Sequence, residues 1–362
     1  MSSSTEPNAD AVPEKTAPEK TMPEKTVKGA ASISSIAAEA GVSIPTVSKV
    51  LNGRPDVAAD TRARVESIIE QHRYRRRRAR QSSRPALIDL VFHEMHSAWS
   101  TEIIRGVEMA AANERAAVVL SELGGEHRPR REWFDDLLAR RPLGVILVLA
   151  GLDTEQRRQL TTRNIPFVFV DTAGEPPPGV PTVGSANWAG GLAATRHLLA
   201  LGHRRIAVIS GPTTMLCSRA RVDGYRSALE DADIVVDPDL VRYGDFYVKG
   251  GYGHGLDLLD RPDRPTAIFA GSDFQALGVM RAARELGLSI PDDLSIVGYD
   301  DLSVTEWIGP PLTTVRQPLR EMATTAAQMV FSLARGDRPP NERIDLATEL
   351  VVRESTCPPR EL

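Results

Sequence analysis

A short stretch near the front of the chain carries side chains of the types and spacing needed to read base edges: Ser43, Ile44, Pro45, Thr46, Ser48, Lys49 and Asn52. At helical spacing Ile44, Pro45, Ser48, Lys49 and Asn52 share one face, while Val47, Val50 and Leu51 share the other. Small, polar and basic groups on the outer face suit a helix whose first turns enter a DNA major groove. Ile44 and Pro45 cannot donate a side-chain hydrogen bond, so discrimination there would rest on apolar contact and shape. A second set, Arg75, Arg76, Arg77 and Arg78, follows in a dense basic run; guanidinium groups of this kind pair with phosphates or enter a narrow A·T-rich minor groove.

These residues need a scaffold, and 32–53 reads as two short helices meeting at the turn Gly41-Val42-Ser43. Ser32 is the expected N-cap of the first helix and is counted with the DNA-facing set; Ile36, Ala37 and Ala40 form that helix's buried side. Gly41 ends it with a permissive backbone. Ser43 caps the second helix, and Pro45 stands in its first turn, where a missing N–H breaks no intrahelical bond. A third helix is expected from 61 to about 72, with Val65, Ile68 and Ile69 inward. A plain surface hairpin is the alternative; the third helix and the run Arg73-Tyr74-Arg75-Arg76-Arg77-Arg78-Ala79-Arg80 argue against it. Ala-Gly-Val-Ser-x-x-Thr-Val-Ser-Lys-Val-Leu-Asn-Gly at 40–53 resembles the DNA-binding headpiece of the lac/galactose repressor (LacI/GalR) family.

Charge is distributed to match. The chain has 362 residues and a formal net charge of −4, but residues 31–84 hold eleven bases against five acids, a balance of +6, which leaves −9 for 85–362 once the −1 of the first thirty residues is counted. Polyanion binding is therefore expected only at the front. The sole cysteines, Cys217 and Cys357, have neither metal-ligand spacing nor a disulfide framework. No apolar export segment opens the chain and no run is long enough to cross a bilayer, so a cytoplasmic protein is expected, with no membrane partner. Residues 1–30 repeat Pro-Glu-Lys-Thr at 13–16, 18–21 and 23–26 and read as a disordered tail.

From Pro85 onward short apolar runs alternate with helical stretches, the pattern of parallel βαβ units. Strands are expected at 86–92, 117–121, 144–150, 167–170, 205–210, 266–270 and 294–299, and helices at 101–113, 188–201, 221–231, 274–286 and 321–335. Some 270 residues of such alternation exceed one sheet, and two doubly wound halves are the economical answer. The resemblance continues through Leu-Gly-His-Arg-Arg-Ile-Ala-Val-Ile at 201–209, Arg-x-x-Gly-Tyr at 221–225, Ser-Asp-x-x-Ala-Leu-Gly at 272–278, Leu-Ser-Ile-Val-Gly-Tyr-Asp-Asp at 294–301 and Pro-Pro-Leu-Thr-Thr-Val-Arg-Gln-Pro at 310–318. It implies an all-α helix-turn-helix headpiece joined to an α/β periplasmic-binding-protein-like core of two doubly wound parallel-sheet subdomains. The implied division is a headpiece at 31–78, a basic linker at 79–85 and a core at 86–362. Crossovers near 184/185, 315/316 and 346/347 split the core into an N-subdomain (about 86–184 and 316–346) and a C-subdomain (about 185–315 and 347–356).

Open α/β sheets bind ligands at the C-terminal ends of their strands. Asp171, Asp300, Trp99, Arg221 and Phe246 stand at or beyond such ends. The resemblance implies that Arg221 and Asp300 hydrogen-bond an effector, that Phe246 offers an apolar face to a sugar ring, that Asp171 and Ser272 add polar contacts, and that Trp99 closes from the N-subdomain. Taken singly, each has a plainer reading: strand-end aspartates cap helices, Phe246 belongs in a core, and Arg221 pairs with Asp223 or Glu230. Asp273 reads as a first-turn acid. His93-Glu94-Met95-His96 has one residue too few between its histidines for a zinc helix, and Gly250, Gly251, Gly253 and Gly255 do not fit a dinucleotide fingerprint. No catalytic residue, metal or cofactor is called for.

The expectation is thus a homodimeric regulator on a pseudo-palindromic double-stranded DNA operator, with repression and a sugar effector implied by the resemblance. A sugar-binding receptor, or a sugar-processing enzyme with an accessory DNA module, is the competing reading. In the linker the chain departs from the family, whose hinge helix carries a leucine for the minor groove: Ser83 takes that place, and arginines replace the expected apolar residues. Without an apolar wedge the operator should bend little at its centre. Eight phosphates neutralised by Arg75–Arg78 in two protomers would add roughly −7 to the salt slope of binding. Changing these four arginines to alanine should relax that slope, measured by operator titration across salt concentrations; an unmoved slope, or a strong central kink in a circular-permutation assay, overturns the reading.

Overall fold

The computed structural model describes residues 32–54, 56–72, 86–95, 97–172, 174–176 and 178–360. The repeats of the first thirty residues, Arg75, Arg76, Arg77, Arg78, Ser83 and His96 lie outside the described residues. At the front, α1 (Ile33–Glu39), α2 (Ile44–Leu51) and α3 (Ala59–Gln71) pack around a small core. Ile36, Ala37, Ala40, Val47, Val50, Leu51 and Val65 are buried there, with Ile68 and Ile69 half-buried at its margin. Ser32 and Ser43 cap α1 and α2 through their side chains, and Gly41 takes a φ of +63° in the turn between them.

The rest of the chain runs β1 (Ala86–Phe92), α4 (Ala98–Asn113), β2 (Ala116–Glu122), α5 (Arg131–Arg140), β3 (Gly144–Val148), α6 (Thr154–Thr162), β4 (Phe167–Val170), β5 (Thr182–Ser185), α7 (Asn187–Ala200), β6 (Ile206–Ser210) and α8 (Leu216–Glu230). It continues through β7 (Val241–Tyr243), α9 (Val248–Leu259), β8 (Ala267–Ala270), α10 (Asp273–Glu285), β9 (Ser295–Asp300), β10 (Thr313–Arg316), α11 (Leu319–Arg335), β11 (Arg343–Leu346) and β12 (Glu349–Val351). Two six-stranded sheets result, in the orders β11-β5-β4-β3-β1-β2 and β12-β10-β9-β8-β6-β7. All pairings are parallel except β12, which runs antiparallel to β10 at an edge. Both faces of each sheet are covered, which explains the uninterrupted apolar runs of the central strands.

In the first sheet Ile88, Leu90, Ile146 and Val168 pack against Ile103 and Val107 of α4 and Met322, Ala326 and Val330 of α11. The opposite face packs on Phe134 and Leu137 of α5 and Leu160 of α6. In the second sheet α9 and α10 cover one face and α7 and α8 the other. The glycines that resembled a broken phosphate-binding motif lie in α9, where a Cβ at Gly251 would stand 2.2 Å from the Gln275 carbonyl oxygen of α10. Gly251 thus lets the backbones of α9 and α10 approach closely.

The chain passes between the sheets three times, at 185–187, 316–319 and 346–349, and these crossovers are bonded to one another. The Ala186 N–H donates to the Leu346 carbonyl (2.8 Å), and the Ser185 hydroxyl donates to Gln317 Oε1 (2.7 Å). The front domain touches the first subdomain through α6 and the residue after it. Arg163 Nη2 donates to the Asn52 carbonyl at the end of α2 (3.0 Å), and Arg158 pairs with Glu66 of α3 (3.0 Å). Among the described residues, no helix is long and apolar enough to cross a membrane.

Candidate functional site

On α2 the outward face is formed by Ile44, Pro45 and Lys49, exposed, with Ser48 and Asn52 half-buried beside them. Ile44 is 47% exposed, a large apolar side chain left bare at a helix N-terminus. Several of the polar groups already have local partners. The Ser43 oxygen accepts from the Thr46 N–H (3.3 Å) and shares a hydrogen bond with the Thr46 hydroxyl (2.9 Å); the Ser32 oxygen accepts from the Ser35 N–H (3.1 Å). Asn52 Nδ2 donates to the Ser48 oxygen (3.3 Å). Lys49, expected to be free for DNA, pairs with Asp56 at 2.7 Å, and that lysine holds the Asp56 carboxyl below its usual range. Nothing in the sequence pattern signals this pair, because Asp56 lies beyond the helix in a turn. Both groups are half-exposed, so the pair is weak and a phosphate can replace the carboxylate.

A cleft open to solvent lies between the two sheets, and Trp99, Asp171, Arg221, Phe246, Ser272 and Asp300 all line it. Strand ends position four of them. Asp171 follows β4, Asp300 ends β9, Phe246 follows β7 and Ser272 follows β8. The first three hold positive φ angles of +44°, +116° and +65°, turning the chain at the cleft floor. Non-glycine residues are held in this region only by well-packed surroundings, and such strain concentrates at binding sites. The strand that Phe246 follows, β7, has too few apolar residues to read as a strand in the sequence. Ser272 is the N-cap of α10 and donates its hydroxyl to the Phe246 carbonyl (2.7 Å).

Arg221 points inward from α8 and is 4% exposed. It does not pair with Asp223, which instead meets Arg226. Its Nε donates to Asn187 Oδ1 (2.8 Å), its Nη1 donates to the Gly271 carbonyl, and its guanidinium stacks 3.7 Å from the Tyr299 ring centre and 5.5 Å from that of Phe246. Burial pushes Asp171 up to about 6 and Asp300 up to about 7, Arg221 opposing both shifts. Asp300 Oδ1 accepts from Gln317 Nε2 (2.6 Å). Asp273 is more than a first-turn acid: fully buried, it accepts from the Thr314 hydroxyl (2.6 Å) and the Leu302 N–H (2.7 Å), tying β10 and the segment after β9 to the start of α10. Burial and the nearby Asp300 raise its carboxyl well above the ordinary value. The cleft can thus grip hydroxyl groups with two carboxyls and one guanidinium, beside the apolar faces of Phe246 and Trp99.

The wall from the first sheet holds residues that the sequence reading did not place in the cleft. His93 and His127 stack with ring centres 3.9 Å apart, and His127 shares a hydrogen bond of 3.0 Å with the Leu149 carbonyl through Nδ1. Burial lowers the His127 pKa and favours the neutral ring. Glu94 accepts from the Tyr247 hydroxyl across the mouth, joining the two subdomains. The signal was present: His93 and Glu94 directly follow β1, the same strand-end position that singled out Asp171. Cys217 also lines the cleft, with burial pushing its thiol up to about 11, far from a thiolate. Among the described residues no group of three metal-ligating side chains converges.

Comparisons with known proteins agree along the chain. Residues 32–77 match the family model for bacterial regulatory proteins of the lacI family, and 195–356 match that for a periplasmic binding protein-like domain. The HTH-type transcriptional repressor CytR of Escherichia coli (strain K12) is 32% identical over 332 residues, covering 90% of this chain and 96% of the relative. The HTH-type transcriptional regulator CelR of Thermobifida fusca is 35% identical over 338 residues, covering 90% and 98%. Among solved structures, a transcriptional regulator CelR–cellobiose complex aligns with a TM-score of 0.68 at 33% identity, covering 90% of this chain and 99% of that one. The lac repressor dimer bound to operator and the anti-inducer ONPF aligns at 0.66 and 29%, with the same coverage.

The raised carboxyls have a measurable consequence. Asp171 and Asp300 hold their protons more tightly folded than unfolded, so from about pH 4 to 7 the folded chain carries more protons and stability falls as pH rises. Asp171→Asn and Asp300→Asn should each gain about 1–3 kcal/mol over the parent at pH 8 and lose that advantage at pH 4. Urea midpoints at the two pH values decide it; a pH-independent difference would show that these carboxyls are not strained by burial.

Proposed function

The chain belongs to the lacI family of bacterial regulatory proteins, as a DNA-binding transcription regulator and not an enzyme, and from that premise we propose how its parts divide the work. The front three-helix domain, with the linker, holds the operator: Ser32, Ser43, Ile44, Pro45, Thr46, Ser48, Lys49 and Asn52 face the major groove and its phosphates, and Arg75, Arg76, Arg77 and Arg78 face the operator centre. The core binds a small sugar in the cleft, through Arg221 and Asp300 first, Asp171 and Ser272 second, and between Phe246 and Trp99. We assign the headpiece to 31–78, the linker to 79–85 and the core to 86–362, and place the protein in the cytoplasm as a homodimeric repressor on a two-fold operator.

One observation carries the effector reading: a buried guanidinium from α8 and two strand-end carboxyls with raised pKa converge between two subdomains that are joined by three crossovers. A site that must sense occupancy gains from lying between two bodies, because a ligand shifts their arrangement only through its different affinity for each state. Likeness to a regulator solved with cellobiose supports a sugar, and likeness to a repressor solved on its operator supports repression.

The test is a panel of neutral sugars scored by thermal shift, followed by operator binding with and without any that stabilise the chain. Arg221→Ala and Asp300→Ala should each abolish the response, since removing one buried polar partner leaves the other unpaired, while operator binding persists. Native sugar affinity in both variants, by calorimetry, would move the site elsewhere. For the DNA face, Lys49→Ala should weaken operator binding by about 1–3 kcal/mol. Asp56→Ala, which frees Lys49, should leave binding unchanged or tighter; a loss as large as that of Lys49→Ala would mean that the pair, and not the lysine, does the work.

A further inference from the structure

The two polar groups proposed to meet the effector are each held by a residue of a crossover between the subdomains. Arg221 Nε donates to Asn187 Oδ1 (2.8 Å), and Asn187 Nδ2 donates to the Ser185 carbonyl (3.0 Å), within the first crossover. Asp300 Oδ1 accepts from Gln317 Nε2 (2.6 Å), and Gln317 lies in the second. The two crossovers are then closed on each other where the Ser185 hydroxyl donates to Gln317 Oε1 (2.7 Å). All five residues are buried, at 8% exposure or less. The path from one ligand-facing group to the other therefore runs through the hinge, without a gap.

We propose that Gln317 is the positioning residue that couples cleft occupancy to the hinge, its amide nitrogen holding the Asp300 carboxyl while its amide oxygen holds the Ser185 hydroxyl. This rests on reading the cleft as the effector site, and adds how that site is heard. An amide has both a donor and an acceptor at one end, so Gln317 can bind both only when its plane is set correctly. A ligand hydroxyl that draws Asp300 toward the cleft turns the amide, and the turn either strains or releases the bond to Ser185. The first crossover then shifts relative to the second, which is the motion that opens or closes the two subdomains. The chain is short, every member is hydrogen-bonded, and none is exposed enough for water to replace the bond, which is the condition for a network to have discrete arrangements. The other charged groups facing Asp300 are Arg221 from α8, Asp171 after β4 and Asp273 at the start of α10. These tune its charge, but none of them reaches a second crossover.

Two readouts test the coupling in the full-length protein. The first needs no ligand: the Asp300 carboxyl is titrated by NMR in protein carrying 13C-labelled aspartate, assigned with Asp300→Asn. Gln317→Leu should raise its midpoint by about one pH unit through loss of the donor, and Ser185→Ala should raise it less, by freeing the amide to rotate. A packing role alone would lower the melting temperature and leave the midpoint in place. The second uses cellobiose as the probe and a duplex enriched on the wild-type protein. Ser185→Ala and Gln317→Leu should keep operator binding and bind the sugar within about tenfold of the wild type, while the sugar-driven change in operator affinity falls below about twofold. If the wild type ignores cellobiose, the sugar reading fails on that probe and the titration still judges Gln317. If Gln317→Leu does not fold, Ser185→Ala carries both measurements. An Asp300 midpoint that Ser185→Ala leaves at the wild-type value overturns the relay, as does full coupling in that variant.

Discussion

Arg221 carries a positive charge at 4% exposure, and a charge taken that far out of water persists only where hydrogen bonds and opposite charges replace its hydration. Each replacement fixes a part of the molecule. The bond to Asn187 sets the start of α7, the bond to the Gly271 carbonyl sets the turn between β8 and α10, and the face of Tyr299 sets β9. Asp300 on the same wall and Asp171 from the first sheet supply opposite charge without closing ion pairs. The surrounding packing answers the same demand. Gly191 of α7 allows the Arg221 backbone to lie where a Cβ would stand 2.2 Å from its carbonyl oxygen, so α7 and α8 approach closely behind the guanidinium.

The central strands and the longer helices were legible because they are long, apolar and covered on both faces; β1 and β4 fall at the expected residues and most others within one or two. Five strands were not read. β5, β7, β10, β11 and β12 span three or four residues each, and polar side chains such as Thr182, Arg242, Thr314 and Glu349 break any apolar run. All five border crossovers or sheet edges, where the partner strand and not the side-chain pattern decides the conformation. Helix α9 was missed because glycine has low helix propensity; what keeps it helical is close packing on α10, a tertiary effect that no local window contains. α5 and α6 were also passed over, being rich in charge.

Of the candidate site, strand ends and the family resemblance together picked out six residues that share one cleft, but not the side chains that hold them in place. Asn187 and Gln317 carry no signal of their own in sequence: an amide is read as a surface residue until a buried partner is in view. Lys49 shows the reverse error. Its helix face was correct, but the carboxylate seven positions later was invisible to a helical count, because the chain turns back between them.

The two walls of the cleft differ in how they are anchored. On the side of the second sheet, Arg221 and Asp300 are tied to crossover residues. On the side of the first sheet, His93 and His127 stack on each other, His127 bonds the Leu149 carbonyl after β3, and Glu94 bonds Tyr247, and none of these partners lies in a crossover. Changes in the second group can therefore alter which molecule fits while the mechanics of response stay intact. Under the proposed effector reading, this separates vocabulary from grammar: descendants of such a fold can acquire new effectors by drift along one wall, and a protein engineer seeking a sensor for a different compound has a face that can be randomised with the transmission left alone.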